Sequence, residues 1–167
     1  AVHEYLVKHP EVLIEMEQVL AARQETEQQF ARQQALDSIG VDALLDPAIA
    51  YVNGPDDAAV TVIEFFDYRC GFCKASLPAM KSALAGNSNV RFAFVEYPIL
   101  TEDSLVAAQA AMASRRQEGM YIPFHLALME TQGTLPLERI LSIAESVGID
   151  IVQLEIDMQD PVTLENI

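Results

Sequence analysis

Residues 60–74, Val-Thr-Val-Ile-Glu-Phe-Phe-Asp-Tyr-Arg-Cys-Gly-Phe-Cys-Lys, limit what this chain can fold into more than any other stretch. Apart from Glu64, residues 60–66 are β-branched or aromatic on both alternating faces, which predicts a strand buried on two sides within a largely parallel sheet. Asp67 and Tyr68 predict a turn. After Cys70-Gly71-Phe72-Cys73 the apolar residues Leu77, Met80 and Leu84 recur at helical spacing. Both cysteines are therefore expected on the first turn of a helix that leaves a strand end. Such a turn has unsatisfied N–H groups and the positive end of the peptide dipole, and both favour an anion. A thiol placed there falls from a pKa of about 8.5 toward about 7 or below, which makes Cys70 the expected thiolate. Cys73, three positions on, faces the same side of the helix, lies deeper and is close enough to close a short disulfide. The pair is expected to cycle between dithiol and disulfide.

With 167 residues the chain has room for one domain and an appended segment. Hydrophobic residues make up 51% of it, yet no window has the uninterrupted apolar length of a membrane span, so a soluble protein is expected. Its 10 Lys and Arg against 25 Asp and Glu give a net charge of -15. That excludes nucleic acid as a partner, because neutralising phosphates needs clustered cations. Two cysteines are too few for a disulfide scaffold, so the pair is redox-active, half a metal site, or structurally idle. The strand-to-helix setting favours the redox reading. There is no second cysteine pair, and His3, His9 and His125 follow no ligand spacing, so no metal and no cofactor is expected. The chain starts at Ala1 with neither Met nor a recognisable signal peptide, as a processed mature protein or a trimmed chain would.

Residues 2–36 read as helix, with a break and restart at His9-Pro10-Glu11 because proline is welcome only in a helix's first turn. Leu6, Leu13 and Leu20 form one heptad row and Val2, His9 and Met16 a second. A seam this narrow suits another helix better than a globular core. Residues 1–37 are therefore expected to form a helical extension that serves as an oligomerisation stalk, with an amphipathic helix lying on its own domain as the alternative. Residues 38–167 are expected to form an α/β domain. Within it, 37–59 reads as a connector with a short strand at 49–52, Gly86-Asn87-Ser88-Asn89 as a turn, and 90–97 as a second apolar strand ended by Pro98. Strand, helix and strand with short loops predict a right-handed crossover with parallel neighbours. From Thr101 onward the pattern is helical, at 102–118, 121–131, 135–147 and 150–158, with a further start at Asp160-Pro161 and no later strand.

The chain resembles the DsbA-like branch of the thioredoxin-fold thiol:disulfide oxidoreductases. The residues that carry the likeness are Glu64-Phe65-Phe66-Asp67-Tyr68, the Cys-Gly-Phe-Cys pair, Glu96-Tyr97-Pro98-Ile99-Leu100 and the N-terminal Lys8-His9-Pro10-Glu11-Val12-Leu13. Within that branch it is most similar to the periplasmic disulfide isomerases of the ScsC and Com1 type, over residues 1–158. The resemblance implies a thioredoxin-like fold with a helical insertion at about 101–160. It also implies a periplasmic location, unfolded or misoxidised exported proteins as substrates, and a membrane thiol reductase or oxidase as redox partner. A homo-oligomer joined through the N-terminal helices would suit isomerisation. One departure stands out: the family opens a late strand with a cis proline beside the cysteine pair. Here Pro78, Pro98, Pro123, Pro136 and Pro161 all fall in other settings, so the closing C-terminal strands are expected to be missing.

Cys70 is the expected attacking thiolate and Cys73 the thiol that releases it. Glu64 shares its strand face with Val62 and Phe66, so burial would raise its pKa and fit it to carry a proton to or from Cys73. The alternative is an exposed strand charge, which the resemblance disfavours. Gly71 and Phe72 place no cation between the cysteines and are expected to set a moderate redox poise, with Phe72 offering an apolar contact to substrate. Lys74 is expected to be solvated. The leading function is a disulfide isomerase or reductase. The alternatives are a dithiol oxidase of DsbA type, a non-enzymatic metal-handling or chaperone protein, and a thioredoxin-fold scaffold whose catalytic capacity has decayed.

Overall fold

The computed structural model describes residues 2–86 and 89–167. Two compact units divide the chain, Ala1–Leu44 and Leu45–Ile167. Of the turn expected at 86–89, Asn87 and Ser88 lie outside the described residues.

In the first unit, α1 (Val2–Lys8) gives way to α2 (Glu11–Ile39) at Pro10, whose ring has no amide to continue the preceding helix. The α2 helix ends at Gly40, which adopts a φ of 79° and returns its N–H to the Leu36 carbonyl at 3.0 Å. A single further turn, α3 (Val41–Leu44), follows. None of the 29 residues of α2 is buried, so Leu13, Met16, Val19 and Leu20 lie open.

The second unit is built on a three-stranded sheet of β1 (Ala50–Asn53), β2 (Val60–Phe66) and β3 (Val90–Glu96), in the order β1-β3-β2. The β2 and β3 strands run parallel, with Val62 opposite Phe92 and Phe66 opposite Glu96, and α4 (Gly71–Gly86) makes the crossover between them. On the other side of β3, β1 runs antiparallel with Ala50 opposite Val95. Gly54 ends β1 with a φ of 125°, and a Cβ there would come within 2.7 Å of the Arg91 Cα. Only glycine lets the chain leave the sheet so close to β3.

The β2 strand is not buried on two sides, contrary to what its residues suggest. Among the described residues it pairs with β3 alone, and Val60 and Phe65 stay 51% and 48% exposed. β-branched and aromatic side chains suit a pleated backbone whatever covers it, so their run does not report how many neighbours the strand has. The buried strand is β3, from its third residue to its last.

Against the sheet lies a helical layer of α5 (Glu102–Ser114), α6 (Tyr121–Glu130), α7 (Leu137–Ser146), α8 (Ile151–Met158) and α9 (Pro161–Glu165). Thr101 caps α5, its hydroxyl oxygen accepting the Ser104 amide at 3.2 Å. Ala107, Ala108, Ala110, Ala111 and Ala113 are wholly buried, and these small side chains let the other four helices of the layer pack round α5. Among the described residues no strand follows β3, every peptide bond is trans, and no helix is long and apolar enough to cross a membrane.

The core between the layers is aromatic, with Phe66, Tyr68, Phe92, Phe94, Tyr121 and Phe124 in one cluster, and it holds a polar centre. Glu96, at the end of β3, is buried, and its Oε1 accepts the hydroxyls of Tyr68 and Tyr121, each at 3.1 Å. The Tyr68 hydroxyl also lies 3.0 Å from Nδ1 of His125, whose ring stands among Phe66, Phe94 and Tyr121. Burial raises the Glu96 carboxyl well above the usual range, against the opposing pull of the two tyrosine hydroxyls. The same desolvation drives His125 from 6.5 down to about 3.

The His125 ring thus stays neutral in the fold at a pH where the unfolded chain has already taken up a proton. Stability supplied by the neutral ring is present above pH 6.5 and is lost as pH falls toward about 3. His125→Asn, which cannot titrate in this window, should flatten the decline of the thermal midpoint between pH 6.5 and pH 4. A variant that declines as steeply as the parent would show that His125 is not the group responsible.

Candidate active site

The junction between β2 and α4 is a tight turn closed by the Cys70 amide, which donates to the Asp67 carbonyl at 2.9 Å. The Asp67 side chain tightens it further, with Oδ1 accepting the Arg69 amide at 2.6 Å. Helix α4 then starts at Gly71, so Cys70 occupies the capping position rather than a helical one. Its carbonyl accepts the Lys74 amide at 3.1 Å, and its sulfur accepts the Cys73 amide at 3.4 Å. A sulfur thus does here what a serine or aspartate oxygen does at most helix starts.

Both cysteines are free thiols and partly buried. The Cys70 pKa is lowered, first by the hydrogen bond from the Cys73 thiol and then by the backbone amides of Cys73 and Phe72. Desolvation and the Asp67 charge oppose that fall without cancelling it. Cys73 moves the other way, to about 11, chiefly through burial. Glu64 also raises it by charge, which places the carboxylate in electrostatic reach of Cys73.

The side chain of Glu64 is half-buried, and its Oε1 accepts the Ser76 hydroxyl from α4 at 3.5 Å. Burial raises its pKa and the serine lowers it less. It lines a groove of about 380 Å³ between β2 and α4 with Ile63, Ser76 and Met80. Gly71 and Phe72 open the helix on the solvent side: nothing stands within 4 Å of where a Gly71 Cβ would sit, and Phe72 is 90% exposed. The structure therefore brings Cys70, Cys73 and Glu64 into one neighbourhood, with Gly71 and Phe72 at its rim. Lys74 departs from expectation. It is only partly solvated and donates to the carbonyls of Leu128, at 3.4 Å, and Thr131, capping the end of α6. Burial, with Arg69 and Arg139 nearby, lowers its pKa.

Asp67 and Tyr68, which the sequence marks as a turn and as part of the family likeness but not as site residues, hold the turn in place. Asp67 is buried and bonds the Leu100 amide at 3.0 Å and the Ser104 hydroxyl at 2.7 Å. Tyr68 is pinned to Glu96 and His125. The signals available were the turn they predict and their place in the motif between the strand and the cysteines; their distant partners had none. Among the described residues, no group of three or more His, Cys, Asp or Glu side chains could hold a metal ion.

Residues 61–167 match the family described as the DSBA-like thioredoxin domain. The chain belongs to that family. Residues 1–27 match a second family, described as the copper resistance protein ScsC N-terminal domain. Among solved structures, the chain is similar to a thioredoxin-like oxidoreductase from Silicibacter pomeroyi, with 41% identity, a TM-score of 0.68, and coverage of 74% of this chain and 70% of that one. It is also similar to Proteus mirabilis ScsC in a transitional conformation, with 28% identity, a TM-score of 0.68, and coverage of 99% and 73%. Among curated relatives, a Na(+)/H(+) antiporter, NhaA 1 of Salinispora arenicola, is 33% identical over 109 residues, which are 64% of this chain and 17% of the antiporter. The chain spans only 17 to 20% of the length of the three antiporters it matches. The mixed α/β architecture is thus that of a DsbA-like thioredoxin domain, with its helical insertion after β3.

With Cys73 near 11 and Cys70 below 9.0, the two thiolate populations at neutral pH differ by at least about 100-fold. Limiting iodoacetamide at pH 7 should therefore modify Cys70 almost alone, as peptide mass spectrometry would show. Equal labelling of the two cysteines would contradict the asymmetry.

Proposed function

We propose that the chain carries out thiol–disulfide exchange on exported proteins in the periplasm, as a reductase or isomerase. The single observation that carries this reading is the opposed pair, a capped, ionisable Cys70 beside a partly buried, protonated Cys73. The Cys70 thiolate attacks one sulfur of a substrate disulfide. The Cys70–substrate bond forms as the substrate bond breaks, and the other substrate sulfur leaves as a thiolate and takes up a proton. In isomerisation a third substrate thiolate attacks the mixed disulfide and frees Cys70 with no net electron transfer. In reduction Cys73 passes its proton to Glu64 and attacks Cys70. The Cys70–Cys73 disulfide then forms, the second substrate sulfur leaves, and two electrons have moved from the pair to the substrate.

The oxidised pair must then be returned to dithiol by a thiol reductant, for which a membrane thiol reductase is the fitting class of partner. Gly71 and Phe72 form the rim that meets substrate, an uncrowded backbone beside an exposed aromatic ring. Residues 1–37 act as a stalk joining copies of the chain, and 38–167 as the catalytic domain with its insertion at about 101–160. Two things support the stalk: α2 buries none of its own apolar residues, and its first half matches the ScsC N-terminal family. Without a partner helix, Leu13, Met16 and Leu20 remain in water.

Insulin reduction driven by a thiol reductant should be lost in Cys70→Ser. Cys73→Ser should instead accumulate the mixed disulfide, and Glu64→Gln should slow its resolution by about tenfold or more while leaving the first attack intact. Equal turnover by the parent and Cys70→Ser would end the exchange reading. Light scattering on chains with and without residues 1–36 tests the stalk: the longer chain should be a multimer and the shorter a monomer. Two monomers would remove it.

A further inference from the structure

We propose that Asp67 is the positioning residue of the cysteine pair: its buried carboxylate fixes the turn that presents Cys70 and holds a negative charge against the Cys70 sulfur, restraining how oxidising the pair is. This deepens the exchange reading and rests on it for its consequence in turnover. Asp67 sits where three segments meet, and it bonds to each. Its carbonyl accepts the Cys70 amide at 2.9 Å, and its own amide is turned to the Cys73 sulfur. Its Oδ1 accepts the Arg69 amide at 2.6 Å and, from the first turn of α5, the Ser104 hydroxyl at 2.7 Å. Its Oδ2 accepts the Leu100 amide at 3.0 Å, from the loop that follows β3.

Every one of those partners donates, and among the described residues no cation forms an ion pair with Asp67. The charge is therefore held by neutral dipoles and not cancelled, in a site 5% exposed where water screens it poorly. Other charged groups face this neighbourhood. Glu64 on β2 adds to the negative side, burial pushes the Glu96 carboxyl on β3 toward its neutral form, and Arg69 in the turn, Lys74 on α4 and Arg139 on α7 supply the positive side. His125 on α6, which touches Tyr68, is neutral. Of the carboxylates among these, Asp67 alone accepts the Cys70 amide through its own backbone. Its charge opposes ionisation of Cys70, and the fall in the Cys70 pKa is what remains after that opposition. A thiolate that is easier to form stabilises the dithiol and makes the disulfide a stronger oxidant, so Asp67 holds the couple back from that end.

Two substitutions separate charge from position. Asp67→Asn keeps an oxygen for Arg69 and Ser104 but removes the charge and gives up the bond from the Leu100 amide. Ser104→Ala keeps the charge and removes one of the donors that quiet it. The readouts are the rate of iodoacetamide reaction at Cys70 in the reduced full chain at pH 6, and the equilibrium constant of the pair with glutathione. Asp67→Asn should react about three- to tenfold faster and shift the equilibrium toward dithiol by a similar factor, since one pKa unit is tenfold in thiolate. Ser104→Ala should move the opposite way, reacting about twofold slower or more.

Values for Asp67→Asn within twofold of the parent, or both variants moving in the same direction, would overturn the proposal. Should Asp67→Asn fail to fold, a parent-like Ser104→Ala would do the same. Neither readout needs a protein substrate. A parent that fails to reduce insulin while Cys70 still responds to Asp67→Asn sinks the exchange reading alone, and an active parent with an unmoved titration sinks this proposal alone.

Discussion

The hydrogen bond from the Cys73 amide to the Cys70 sulfur joins the fold to its chemistry. A helix start must find acceptors for its first amides, and α4 takes a sulfur for this purpose. Because a thiolate accepts better than a thiol, ionising Cys70 strengthens the first turn of α4, and by the same linkage the turn holds Cys70 ionised. Closing the Cys70–Cys73 disulfide consumes that thiolate and leaves the amides with a poorer acceptor. The reduced pair is therefore the one the helix stabilises.

That bond is useful only if the turn before it does not move. Asp67 and Tyr68 see to this from opposite directions. Asp67 reaches the loop after β3 and the start of α5, and Tyr68 reaches Glu96 at the end of β3 and His125 on α6. The helical layer contributes none of the candidate catalytic side chains, yet it supplies much of what locks the turn. Lys74 closes the arrangement by capping the carbonyl end of α6 from the helix that carries the cysteines. A site carried on a strand end and a helix start, braced from a second layer, keeps its sulfurs where exchange needs them.

The local periodicities made the strand, the crossover helix and the parallel partner strand legible in the sequence, because each is set by residues near one another in the chain. The same held for the helical run after Thr101 and the break at Pro10. The burial of β2 was not legible, since Val60, Val62 and Phe65 satisfy strand geometry whether or not a neighbour covers them. Contacts between distant residues were equally hidden. Tyr68 meets Glu96 across 28 positions and His125 across 57, and no spacing rule connects them. His125 looked like one of three scattered histidines until the fold set it in an aromatic cage. Lys74 looked like a surface charge because nothing in its own helix foretells the carbonyls of α6.

The redox character of such a pair is usually sought in the two residues between the cysteines, and here those residues contribute little charge of their own. Gly71 has no side chain and Phe72 turns its ring out to solvent. Lys74, the cation nearest in sequence, spends its donors on α6. What remains is a contest between the α4 amides and the Cys73 thiol, which favour the Cys70 thiolate, and burial with the Asp67 charge, which oppose it. The first group prevails for Cys70 and burial prevails for Cys73, so one sulfur is readied for attack and the other withheld. In this chain the balance therefore falls to the turn and its supports, at Asp67 and Ser104, rather than to the two residues between the cysteines.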